Sequence, residues 1–121
     1  MNENEAVSIS SSPQQQVVTV ASAILSGQLG VIEGSRLLCS LRSRVSSLDH
    51  DPDFIAFVGL DSETDHLPIG AVRRHWAPAA LANKDIQIQA AEQHWHDTAI
   101  AACHRLLRRF STAHYDQDGK I

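Results

Sequence analysis

Apolar residues recur at helical spacing along most of the chain, and Gly, Pro and Asp mark the breaks between runs. Val17, Val18, Ala21, Ile24 and Leu25 form the first run. Ser12-Pro13-Gln14-Gln15 ahead of it reads as a helix start: Ser12 caps, Pro13 suits the first helical position, and Gln15 reaches back as in a capping box. Gly27 and Gly30 punctuate the end, so the spacing predicts a helix over 13–27. A second helix is expected over about 31–46, with Leu37, Leu38, Leu41, Val45 and Leu48 as its apolar face and Arg36, Ser40, Ser43 and Arg44 outside. The short link implies an antiparallel helical hairpin. Gly34 in the first turn costs roughly 1 kcal/mol of helix propensity, which points to close approach of another backbone.

Asp51 is placed to cap and Pro52 to open a third element. Its apolar run, Phe54, Ile55, Phe57, Val58 and Leu60, fits a short helix or a buried strand, and the Asp51-Pro52-Asp53 start favours helix. Asp61 to Pro68 reads as an acidic loop, Ile69 to Trp76 as ambiguous, and Pro78 to Ala82 as a turn. From Asp85 to Phe110 there is no Gly or Pro. Ile88, Trp95, Ala99 and Leu106 fall on one line there, flanked by Ala102, Cys103 and Phe110, while His94, Asp97, Arg105 and Arg108 fall away from it. Ile100 and Leu107 make a second apolar line wide enough for an oligomer contact, so a homodimer is one expectation. The fold class expected is all-α: a compact bundle of about five helices with a long C-terminal helix. The polar, serine-rich residues 1–12 read as a mobile tail, 13–112 as a single helical domain, and 113–121 as a flexible C-terminal tail.

Composition narrows the function classes. The 121 residues are 43% hydrophobic and 20% charged, ordinary globular usage. A net charge of -4 argues against a general nucleic-acid binder. No stretch approaches the roughly 20 apolar residues of a membrane span. The start carries Glu3 and Glu5 and no Lys or Arg, unlike a secretory signal, so a cytoplasmic location with Cys39 and Cys103 as reduced thiols is expected. A Cys39–Cys103 disulfide is the alternative.

Two clusters are candidates for chemistry. Asp49, Asp51, Asp53, Asp61, Glu63 and Asp65 lie in a stretch without Lys or Arg. Asp61 to His66 alternates carboxylates like the start of a calcium loop, but His66 stands at the sixth position and Val72 at the twelfth, where Gly and a carboxylate belong. A solvated loop with helix caps is the plain reading, and a docking surface for a basic partner the functional one. Arg73-Arg74-His75-Trp76 follows and is expected to tie back to the acidic loop. The partner-binding candidates are therefore Asp61, Glu63, Asp65, His66, Arg73, Arg74 and Trp76.

The second cluster is the seven histidines. Glu92 and His96 are four apart on one helical face, and Glu63 and His66 three apart. Together these four are candidate ligands for a transition metal, against the plain reading that Glu92 pairs with an arginine at a helix crossing. No Cys-x-x-Cys or His-Glu-x-x-His pattern, Gly-x-Ser-x-Gly elbow or phosphate loop is present, so no cofactor is expected beyond such a metal. Arg105, Arg108 and Arg109 are explained by the dipole at a helix C-terminus.

The runs DPDFIAFVGLDSETDHLPIGAVRRHWAPAAL, Asp51 to Leu81, and GVIEGSRLL, Gly30 to Leu38, resemble a small bacterial family of uncharacterised proteins. The resemblance spans about residues 17–110, implies a bacterial, single-domain, cytosolic protein, and carries over no catalytic residue. The leading expectation is a non-enzymatic interaction module, in its specific form an immunity or antidote protein that meets a basic toxin through the acidic stretch. The competing one is a metal-binding protein or metal-dependent enzyme.

Overall fold

The computed structural model describes residues 12–119, with side chains described through Ser111. The expected tail over 1–12 lies outside these residues except for Ser12. Four α-helices and one 3₁₀ helix are described, and no strand: α1 (Pro13–Ser26), α2 (Val31–Val45), α3 (Pro52–Thr64), the 3₁₀ helix (Gly70–His75) and α4 (Pro78–Gly119). The all-α expectation with a long last helix holds.

Local signals set most boundaries. Ser12 Oγ accepts from the Gln15 amide while Gln15 Oε1 accepts from the Ser12 amide, a complete capping box. Gly27, at φ 82°, ends α1 in the left-handed conformation, and its amide bonds back to α1 carbonyls. Asp51 accepts from the Asp53 amide and Pro52 opens α3, so 52–60 is helix, not strand.

The helices alternate in direction. Asp51 and Asp53 at the start of α3 meet Arg109 and Arg105 late in α4, while Gly59 faces Trp95 earlier in α4. Arg36 in α2 bonds the Thr64 carbonyl at the end of α3, whereas Ser46 after α2 bonds Asp51 before α3. Val31 at the start of α2 meets Glu92 of α4. The result is an up-down-up-down four-helix bundle. Val17, Ala21, Ile24, Ile32, Leu38, Leu41, Phe54, Phe57, Leu60, Ala99, Ala102, Cys103 and Leu106 fill its core. Each large apolar side chain buried there stabilises the fold by roughly 1.5–3 kcal/mol.

Several expectations need correction. α3 continues through Asp61 to Thr64; the Leu67 amide bonds back to the Thr64 carbonyl, and Arg36 donates to the carbonyls of Thr64 and Leu67. The ambiguous 69–76 segment is a 3₁₀ helix. Pro78 is the first residue of α4 rather than of a separate turn, and Ala79 to Ala82 are its first turn. The α4 backbone is helical through Gly119, and side chains beyond Ser111 lie outside those described. Of the expected α2 face, Leu38 and Leu41 are buried and Val45 packs on the core, whereas Leu37 is 42% exposed and Leu48, past the helix end, 59%; Val31, Ile32 and Ser35 are buried as well. Gly34 makes room for the side chain of Ile24, not for a backbone.

Candidate functional site

Three of the six carboxylates of the acidic stretch, Asp51, Asp53 and Asp61, are paired with arginines of the fold. Asp51 is buried and receives Arg109 Nη1 at 3.0 and 2.8 Å, Ser46 Oγ at 2.6 Å and the Asp53 amide at 3.0 Å. Burial alone would raise the pKa of its carboxyl. The Ser46, Asp53 and Arg109 hydrogen bonds and the Arg109 charge outweigh burial and hold it below the ordinary 3.8. Asp53 pairs with Arg109 at 3.0 Å and Arg105 at 3.4 Å. Arg105 and Arg109 are therefore cross-helix ties in the body of α4, and the helix-dipole reading of them is replaced, since the helix runs on well past them. Asp61 lies 3.7 Å from Arg36 Nε. Exposed and without an ion pair among the described residues are Asp49, Glu63 and Asp65.

Arg73 does not tie back to the acidic stretch. Its guanidinium makes a two-pronged pair with Asp85 of α4, 2.7 and 3.0 Å, and also donates to the Pro68 carbonyl. Arg74 is exposed, donating only to the Ala71 carbonyl, His75 is exposed, and Trp76 is half-buried. His66 is exposed beside Asp65. All seven partner-binding candidates lie at one end of the bundle: in the last turn of α3, just after it, and in the 3₁₀ helix with its Trp76 cap.

That end carries the first turns of a long helix. Between Pro78 and Thr98 no α4 side chain is fully buried. Leu81, Lys84, Ile88, Ala91 and Trp95 form the half-buried line facing the body. Val72 is 48% and Ile86 68% exposed, and each is the chain neighbour of one partner in the Arg73–Asp85 pair. This end thus carries the exposed apolar side chains Val72 and Ile86, the carboxylates of Glu63 and Asp65, and the cation of Arg74.

The proposed metal ligands do not come together. Glu92 does not meet an arginine either. Its Oε1 and Oε2 each accept at 3.1 Å, from the Val31 and Ile32 amides, and so cap α2 from across the bundle. Gly30, the residue before α2, has no side chain to do this. A Cβ there would stand 2.9 Å from Glu92 Oε2. Sequence reasoning missed this role. The available signal was a helix start with no capping side chain, matched by a carboxylate at the edge of an apolar face. His96 is exposed, with Nδ1 3.2 Å from Asp97 Oδ1. Gln89, Glu92, Gln93, His96 and Asp97 line an open groove of about 490 Å³ on α4. Among the described residues no group of three or more His, Cys, Asp or Glu is placed to hold a metal ion. His50, His66, His75, His94, His96 and His104 are all exposed, and His114 lies outside the described side chains.

The cysteines are separate free thiols, Cys39 half-buried and Cys103 buried. Burial pushes both up to about 11, with Asp61 adding to the effect at Cys39. The expected pair of reduced thiols stands, and the disulfide alternative falls. Ile100 and Leu107, expected as an oligomer contact, are partly buried against the chain's own core. No helix among the described residues is long and apolar enough to cross a membrane.

No curated protein and no solved structure gives a significant match to the chain. A family model does match, over residues 4–106, in keeping with the resemblance seen in the two sequence runs. The chain belongs to that family, described as a protein of unknown function (DUF2489).

Proposed function

We propose that the chain is a protein-binding module whose contact surface is the bundle end built from the last turn of α3, the 3₁₀ helix and the first turns of α4. The observation that carries this reading is the exposure of Val72 and Ile86 on either side of the Arg73–Asp85 pair. Exposed large apolar side chains beside a charged pair are in keeping with a contact surface. The narrower reading, an acidic face for a basic toxin, loses Asp51, Asp53 and Asp61 to internal pairs. It keeps only Glu63 and Asp65 at this end, where Arg74 is also exposed, so this end is of mixed sign.

The test is photo-crosslinking in the native host, with a crosslinking amino acid at position 72, 86 or, as control, 48. Leu48 is equally exposed but sits at the other end of the bundle, between α2 and α3. Discrete protein adducts at 72 and 86 but not at 48 are expected. Equal labelling at all three positions, or none at 72 and 86, overturns the reading.

A further inference from the structure

We propose that residues 70–87, the 3₁₀ helix and the first turns of α4, form a flap that opens as one unit while the bundle stays folded, and that Arg73 is its latch. The core and the apolar side chains packed on it reach Ile69 on one side and resume at Ile88 and Ala91 on the other; none comes from between. Within those limits no residue is buried, and only Arg73, Trp76, Ala80, Leu81 and Lys84 are half-buried. Segments with so little apolar burial are where proteins open locally, at a free energy well below that of global unfolding. The device depends on this packing alone, not on the binding role proposed above.

Arg73 joins the parts. From the 3₁₀ helix it donates to the carbonyl of buried Pro68 at 3.2 Å and grips both carboxylate oxygens of Asp85 in α4, at 2.7 and 3.0 Å. One guanidinium thus fastens the two arms of the flap to each other and to the bundle. The pair is solvent-exposed, so its hold is modest and is screened by salt. Gly70, at the junction with Ile69, has φ 77°, and a Cβ there would meet nothing within 4 Å. Glycine is therefore needed at this point for backbone conformation rather than for space, which suits a hinge. On the other side α4 runs on into Ile88, so opening unwinds its first ten or so residues, a length that holds little helix alone in water. Arg74, the next residue, bonds only the Ala71 carbonyl inside the 3₁₀ helix and latches nothing.

Amide hydrogen exchange on the full chain, resolved by residue in NMR spectra, tests this. The amides of Arg73 to Trp76 and of Leu81 to Gln87 are expected to exchange together, at least about a hundredfold faster than those of Ala99 to Leu106. Arg73→Ala should accelerate Leu81 to Gln87, in the opposite arm, by about three- to tenfold, and Asp85→Asn should do the same to Arg73 to Trp76. Added salt should act likewise on the wild type and have less effect on either variant. Arg74→Ala should leave both arms unchanged. The amides from Ala99 to Leu106 should hold their rates in every variant, which reports an intact bundle. Flap amides as slow as those of Ala99 to Leu106 would mean that no flap opens, and would overturn the proposal. So would Arg73→Ala and Asp85→Asn each acting only on its own arm, the mark of a helix end fraying without a latch.

Discussion

Glu92 holds the amide of Val31 from 61 residues away in the chain, and its second oxygen holds that of Ile32. This one carboxylate does for α2 what Ser12 and Asp51 do locally for α1 and α3. It also sits at the positive end of the α2 dipole. Glu92→Ala is expected to lower stability by about 1 kcal/mol, the usual cost of losing a cap, and Glu92→Gln by less, since one acceptor oxygen remains. Gly30→Ala pushes a methyl against the same carboxylate and should also destabilise. In the Glu92→Ala background that clash is gone. A double-mutant cycle by urea unfolding should therefore give a coupling well outside additivity, and additive losses would mean that Gly30 and Glu92 act independently.

The Asp51–Arg109 pair ties the opposite end of the bundle. Because the folded pKa of Asp51 lies below its unfolded value near 4, the stability it contributes is present above that value and disappears as pH falls through the folded pKa. Asp51→Asn keeps the shape and a capping oxygen but removes the charge. It is expected to cost about 1–3 kcal/mol at neutral pH, the range for a charge-assisted hydrogen bond. It should also flatten the decline in stability below pH 4. Unfolding curves at stepped pH for both proteins check this, and parallel declines would assign the acid sensitivity elsewhere.

Gly34 is a packing glycine. A Cβ there runs into the Cδ1 and Cγ1 atoms of Ile24, which is itself buried between α1 and α2. Gly34→Ala is expected to cost about 1–3 kcal/mol through overpacking, despite alanine's better helix propensity. Ile24→Val removes Cδ1. Combined with Gly34→Ala it should recover part of the loss, whereas Ile24→Val alone costs about 0.5–1.5 kcal/mol. Thermal unfolding of the two single variants and the double variant separates steric conflict from loss of glycine flexibility.

What was legible in the sequence was local. The capping box at Ser12 and Gln15, the Asp51-Pro52 start and the Gly27 stop each involve residues a few positions apart, so pattern and structure agree there. The rest depended on partners distant in sequence. α3 runs four residues further than its apolar run suggested, and Arg36 binds carbonyls near its end. Arg73 chose Asp85 over the nearer acidic residues because α4 begins at Pro78 and presents Asp85 two turns along. Ala79 to Ala82, strong helix formers, were the missed sign that Pro78 opens a helix rather than a turn. The acidic stretch looked like one surface because sequence shows charge density but not pairing. Arg105 and Arg109, more than fifty residues later, neutralise Asp51 and Asp53.

The two thiols give a probe of the fold that is independent of its function. Cys103 is fully buried in the core and Cys39 half-buried beside Asp61, and both titrate near 11. Thiolate is the attacking species, so at pH 8 only a small fraction of either is reactive. A water-soluble disulfide reagent at pH 8 should label the native protein far more slowly than a free cysteine peptide. Cys39 should react first. Cys103 should wait for an opening that separates α4 from the rest of the bundle, and its rate should rise with urea in step with unfolding. Glu92→Ala loosens the contact between α2 and α4 and should therefore accelerate Cys103 in proportion to the stability it removes. A Cys103 rate that matches the free peptide in native buffer would contradict its placement in the core.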